Sequence, residues 1–211
     1  PEVALFQNVV PWSCSSNEEA FDLYNVPFVT LSSKDFELVN LSQFVKVVIA
    51  SDQDQVFYDA MNASRWKFED YVRNGGVLEI HAADSGWHGG QWVGLLPGGL
   101  QWVVHATNYV TIVNHTHPIM NTPNVITDSE LYGWSVSTHG YFSGYSNDSH
   151  VIITDSSGHP VYLEFKYEAG LIVATGQTLE WAYYYGYSLM LENSLLYPVY
   201  KYNQELVAFL D

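Results

Sequence analysis

Apolar residues run in short, almost unbroken blocks through the first part of the chain: residues 3–10, 28–31, 45–50 (VKVVIA) and 77–82 (VLEIHA). Blocks of four to eight residues without polar alternation are expected of strands buried on both faces, as in a parallel sheet covered by helices. Helical patterns fill the gaps between them. Ser16 and Glu19 form a capping box that opens a short helix through Tyr24. Residues 36–44 read as a turn with a little helix. Residues 52–61 and 64–73 read as helical; Trp66, Phe68, Tyr71 and Val72 supply an apolar side, and Asn74-Gly75 supplies the stop. The alternation predicts a three-layer, flavodoxin-like α/β sandwich with a mostly parallel central sheet.

The texture changes after His88. A Gly-rich loop (89–99) leads to strands near 102–104 and 109–113, and residues 123–145 are polar and aromatic with no usable period. Three short strands follow, at 150–154, 161–166 and 171–175. The turns at 155–158 and 167–170 join them as late antiparallel hairpins. A helix is expected over 188–197, ended or bent by Pro198. With no internal repeat and no linker, residues 1–211 are expected to form a single domain.

Charge narrows the partners. Seven Lys plus Arg against 23 Asp plus Glu give a formal net charge of −16, which argues against nucleic acid or an anionic membrane surface. No stretch approaches the roughly 18 consecutive apolar residues of a membrane span. Cys14 stands alone, so a disulfide scaffold and a Cys-rich metal site are both excluded within this chain. Beginning at Pro1 without a Met, the chain is expected to be a mature or excised product. Glycosylation sequons at Asn40, Asn62, Asn114 and Asn147 add to the paucity of Lys and Arg and suggest an extracellular or cell-surface setting. The 16 Tyr, 7 Trp and 10 Phe suit carbohydrate, other surface proteins or self-assembly as partners. Gly89-Gly90 and Gly98-Gly99 match no phosphate-binding fingerprint, no EF-hand loop is present, and no cofactor is expected.

Chemistry-capable side chains gather where the block at 77–82 ends: His81, Asp84, Ser85 and His88. Imidazole and carboxylate exchange protons near neutral pH and also ligate metals, so His81, Asp84 and His88 are candidate metal ligands and His81 and Asp84 candidate catalytic groups. A His at the end of a buried strand equally serves as a structural polar anchor. His115 and His117 flank Thr116 and would share one face of an extended segment, although Asn114 and Pro118 suggest an ordinary surface loop. His88, His139 and Trp181 are candidate ligand contacts. Trp92, Trp134 and Trp181 would serve a lectin-like module, and the run 181–187 would serve sugar stacking, helix packing or a contact between subunits.

Four segments together resemble the class I glutamine amidotransferase-like superfamily, in particular its non-amidotransferase, ThuA-like branch. They are FEDYVRNGGVLEIH ending at His81; His117-Pro118-Ile119 followed by Asp128-Ser-Glu-Leu-Tyr132; the late hairpin turning at 167–170; and Gly176-Gln177-Thr178-Leu179-Glu180. The last lies where true amidotransferases carry Gly-x-Gln-x-His-Pro-Glu. The resemblance implies that Glu180 comes close to His81. It also implies a missing reaction. A glutaminase needs a Cys nucleophile activated by a His, yet the elbow reads His81-Ala-Ala-Asp84, and Leu179 or a neighbour replaces the His. The leading expectation is a catalytically silent domain with a structural, assembly or ligand-binding role. The rival is a sugar-directed hydrolase or isomerase using His81, Asp84 and Glu180.

Overall fold

The computed structural model describes residues 2–132, 134 and 136–198. Strand β1 (Val3–Phe6) is followed by α1 (Ser16–Leu23), β2 (Phe28–Leu31), β3 (Lys46–Ile49), α2 (Gln55–Arg73) and β4 (Val77–His81). Then come β5 (Gln101–Thr107), β6 (Val110–Ile112), β7 (Thr138–Ser143), β8 (His150–Asp155), β9 (Pro160–Tyr167), β10 (Gly170–Thr175), α3 (Leu179–Tyr184) and α4 (Met190–Leu196). Eight strands form one sheet in the order β2-β1-β3-β4-β10-β9-β8-β6. The first five neighbours run parallel; β9, β8 and β6 continue antiparallel. The fold is thus the mixed, flavodoxin-like α/β architecture that the apolar blocks predict.

Each face of the sheet carries its own core. Ala4, Phe6, Val47, Ile49, Leu78 and Ile80 face α2, whose Phe57, Met61, Phe68 and Val72 fill that side. Val3, Leu5, Val48 and Val173 face α1, α3 and α4 through Phe21, Leu179, Leu191 and Leu195. Alternation along one strand therefore sends successive residues into different cores, which is why neither side of these strands faces solvent. β5 and β7 pair separately as a two-stranded ribbon.

Local differences from the sequence reading have plain causes. Residues 55–73 form one unbroken helix, since Asn62 and Ala63 carry nothing that stops it; Asp54 caps its start by accepting from Phe57 N at 2.8 Å. Gly75, at φ +99°, closes its end, with Gly76 N donating to Tyr71 O at 3.0 Å. The capping box expected at Ser16 is absent: Ser15 holds the N-cap position of α1 without a side-chain capping bond, its hydroxyl donating to Glu19 Oε1 at 2.7 Å, and Ser16 donates to the carbonyl of Glu180. Strand β1 stops at Phe6, and residues 7–10 pass into a loop.

Candidate functional site

Because β1, β3, β4 and β10 run parallel, the loops that leave them converge at one edge, the usual ligand edge of an open α/β sheet. The loop after β1 brings Trp12, the loop after β3 brings Asp52, the loop after β4 brings residues 84–88, and β10 runs on to Thr178 and Trp181. Trp12, Ser85, Gly86, Trp87, Thr178 and Trp181, together with Val136 and His139, line a cavity of about 400 Å³, and Asp52 lies behind its wall, bonded to Trp12 N. Trp87 is 60% exposed, while Trp12 is buried. Trp12 meets Trp87 and His139 edge-on, at ring-centroid distances of 6.3 and 5.1 Å. Trp181 stacks on Tyr187 at 5.5 Å with planes 10° apart.

The backbone here is held in conformations that L-residues seldom adopt. Trp12 (φ 54°), Ser13 (55°), Asp52 (49°), Ser85 (56°) and Val136 (62°) all lie in the left-handed region. Such strain concentrates at functional sites. Asp52 holds two of the loops in place. Its buried carboxylate accepts from Trp12 N at 2.9 Å and His88 N at 3.0 Å, and His88 Nδ1 donates to Oδ2 at 2.9 Å. Gly86 must be glycine, because a Cβ there would lie 2.4 Å from both Asp52 Oδ1 and the Trp12 ring. His139 Nδ1 donates to the Asp84 carbonyl at 2.5 Å, so a neutral ring presents Nε2 as an acceptor.

Behind the cavity lies a buried charge network. His81 Nδ1 is 2.8 Å from Glu180 Oε1, and Nε2 is 2.6 Å from Glu79 Oε1. Ionised carboxylates only accept, so both ring nitrogens carry protons and His81 is an imidazolium. Burial opposes that charge, but Glu180 and Glu79 outweigh it and raise His81 to about 10. Burial likewise works against Glu79, yet Lys46 and then His81 hold it down at about 2. Lys46, lowered by burial against the pull of Glu79, forms an ion pair with it. Its Nζ also donates to the carbonyls of Ser194, Leu195 and Tyr197 at the end of α4. Glu180 completes the network by accepting from Ser51 Oγ at 2.8 Å, and Ser51 accepts from Trp12 Nε1 at 2.9 Å. Two cations balance two anions with no solvent contact.

The structure thus joins some of the predicted residues and separates others. Glu180 meets His81, as the resemblance implies, but both are 0% exposed. Asp84 is engaged elsewhere, accepting from Trp92 N at 2.9 Å and Trp102 Nε1 at 3.0 Å; burial raises its carboxyl against those bonds. His81, Asp84 and His88 are therefore not a metal triad: His81 is clamped by carboxylates at both nitrogens, and among the described residues the cluster with metal-ligand spacing is a different one. His139 and Trp181 line the cavity, and His88 is anchored on Asp52 beside it. Trp134 is buried, and Trp92 packs on Tyr58 at 4.7 Å, so neither offers a lectin face. His115 is exposed while His117 is buried, so the two do not share a face. Trp12 and Asp52 were missed; the polar break at residues 7–8 and the Ser51-Asp52 pair after the apolar block mark where those loops begin. Asn40, Asn62 and Asn147 are exposed and Asn114 half-buried; Asn62 lies within α2.

A second cavity of about 400 Å³ opens near the amino end of β4, lined by Asn40, Phe44, Lys67, Tyr71 and Gly75 among others. It lies at the edge where parallel sheets do not usually bind ligands, and it gathers no comparable set of aromatic rings.

No family model matches the chain. An uncharacterized protein of Clostridium acetobutylicum is 31% identical over 173 residues, covering 81% of this chain, which spans only about 17% of that relative's length. Among solved structures, a glutamine amidotransferase of Thermotoga maritima superposes with a TM-score of 0.57 at 12% identity, over 85% of this chain and 76% of that one. An exo-β-1,4-mannosidase of an Opitutaceae bacterium superposes with a TM-score of 0.56 at 12% identity, over 89% of this chain and 33% of that one. The chain has the glutamine amidotransferase-like fold.

Proposed function

We propose that this chain is a catalytically silent amidotransferase-like domain, of the ThuA-like kind, that binds carbohydrate in the cavity at the carboxyl edge of its sheet. The composition of that cavity carries the reading. Trp87, 60% exposed, and half-buried Trp181 offer ring surface for the apolar side of a sugar, the buried Trp12 backs them, and Ser85 and His139 offer hydrogen-bonding groups. The exo-β-1,4-mannosidase that contains this fold over 33% of its length is consistent with a sugar-related context. Catalytic silence is supported by three residues. Cys14 is buried, and burial, Glu180 and Glu19 push its thiol up, away from the thiolate a nucleophile needs. Leu179, also buried, stands near the position of the missing His. His81 has both nitrogens committed to carboxylates. A secreted or cell-surface setting fits the exposed Asn40, Asn62 and Asn147 and the acidic composition.

The rival, a sugar hydrolase or isomerase using His81, Asp84 and Glu180, needs those groups to meet substrate, yet none is more than 1% exposed. A glycan array probed with the wild-type chain and Trp87→Ala separates the readings when paired with a chromogenic glycoside screen. Binding that depends on Trp87, without turnover, is expected. Efficient turnover abolished by His81→Gln would favour the enzyme, and a blank array would remove the carbohydrate reading.

A further inference from the structure

We infer that His117, His150 and Glu164 form a binding site for a divalent transition metal of the zinc class. None of them lines the aromatic cavity. His150 opens β8 and is the direct cross-strand partner of Glu164 in β9, so the two side chains stand on one face of the sheet. His117 reaches the same point from the residue that caps the 3-10 turn Pro118–Met120. His117 Nε2 lies 3.1 Å and His150 Nδ1 3.4 Å from Glu164 Oε1, and the ligand atoms of all three residues fall within 4.8 Å of one another. A tetrahedral zinc ion with bonds of about 2.0–2.1 Å holds its ligand atoms roughly 3.3–3.4 Å apart, so small side-chain movements complete the set. Two imidazoles and one carboxylate are borderline-hard donors suited to zinc and its neighbours, with water taking the fourth position.

The surroundings are built for a cation. His117 and Glu164 are each 6% exposed, while His150 stands at the rim and leaves a path from solvent. Glu164 Oε2 is buried and makes no well-formed hydrogen bond, although the Tyr197 hydroxyl leans on the same carboxylate. Occupancy has a local consequence. His117 Nδ1 now accepts from Ile119 N at a long 3.3 Å, which leaves the ring proton on Nε2. A metal at Nε2 moves that proton to Nδ1, so the 118–120 turn must shift.

The test uses the chain stripped of metal by chelator and titrated with Zn²⁺ by calorimetry, with Co²⁺ absorption as a second probe. We expect one Zn²⁺ per chain, tetrahedral Co²⁺ bands, and an affinity that falls at least about tenfold in His150→Ala and in Glu164→Gln. His150 is exposed, so its variant folds whatever the role of the site. Absence of one-to-one binding, or equal binding by His150→Ala, would overturn the site.

Discussion

At the residue scale, a histidine whose two nitrogens face carboxylates must keep both protons, and the carboxylate beside that imidazolium and an ammonium must stay ionised. Removing one member leaves an uncompensated buried charge, so His81→Ala is expected to cost about 3–5 kcal/mol of stability by urea unfolding. The pH dependence has a definite sign. His81 is raised from 6.5 to about 10, so its contribution is complete below pH 6.5 and is lost as pH climbs toward 10. Glu79 is lowered from 4.5 to about 2, so its contribution is complete above pH 4.5 and is lost as pH falls toward 2. Unfolding free energies measured across pH should therefore decline on both sides of a plateau between 4.5 and 6.5. His81→Gln should lose the alkaline decline; a variant that keeps it would show that another group titrates there. Little of this network was visible beforehand. His81 and Glu180 carried the resemblance, but Lys46 and Glu79 sit inside apolar blocks, where one polar residue looks like an interruption. Their partners come from register: Lys46 lies opposite Val77, two residues before Glu79 on the same face.

At the scale of elements, α4 shows how that network reaches a surface segment. Helix carbonyls at a C-terminus lack intrahelical partners, and Lys46 donates to those of Ser194 and Leu195 and to Tyr197 beyond them. Lys46→Met removes this cap and strands Glu79, so hydrogen exchange should speed up across Met190–Leu196 more than across α2. Uniform exchange would place the role of Lys46 elsewhere. Gly86→Ala is expected to displace Trp12 and the loop on Asp52, lowering ligand affinity while α2 and the sheet keep their protection. The long apolar strands were legible because both their faces are buried. β7 was not, because its inward positions are Thr138, Gly140 and Phe142, and a glycine in the core row erases the alternation. α3 was missed for a related reason: its buried residues are Leu179, Glu180 and Ala182, so a charge occupies the apolar stripe.

For the whole molecule, the parallel half of the sheet sets the site and the antiparallel half carries the metal cluster proposed here. The apolar blocks and late hairpins made the first four strands and the β8–β10 run readable from the sequence. The β5–β7 ribbon depends on a pairing across more than 30 residues that no local pattern announces. The edge that holds the site was legible from the end of β4, but its walls come from four loops and could be assembled only in three dimensions. The network from Trp12 through Ser51, Glu180, His81 and Glu79 to Lys46 ties that wall to α4. The central claim is that the aromatic cavity receives a sugar. It is tested most directly by titrating tryptophan fluorescence with oligosaccharides of mannose, galactose and glucose, in the wild type and in Trp87→Ala. We predict saturable quenching by at least one of them, with affinity about tenfold weaker in the variant. An unchanged spectrum with every sugar, or identical saturation in the variant, would contradict it.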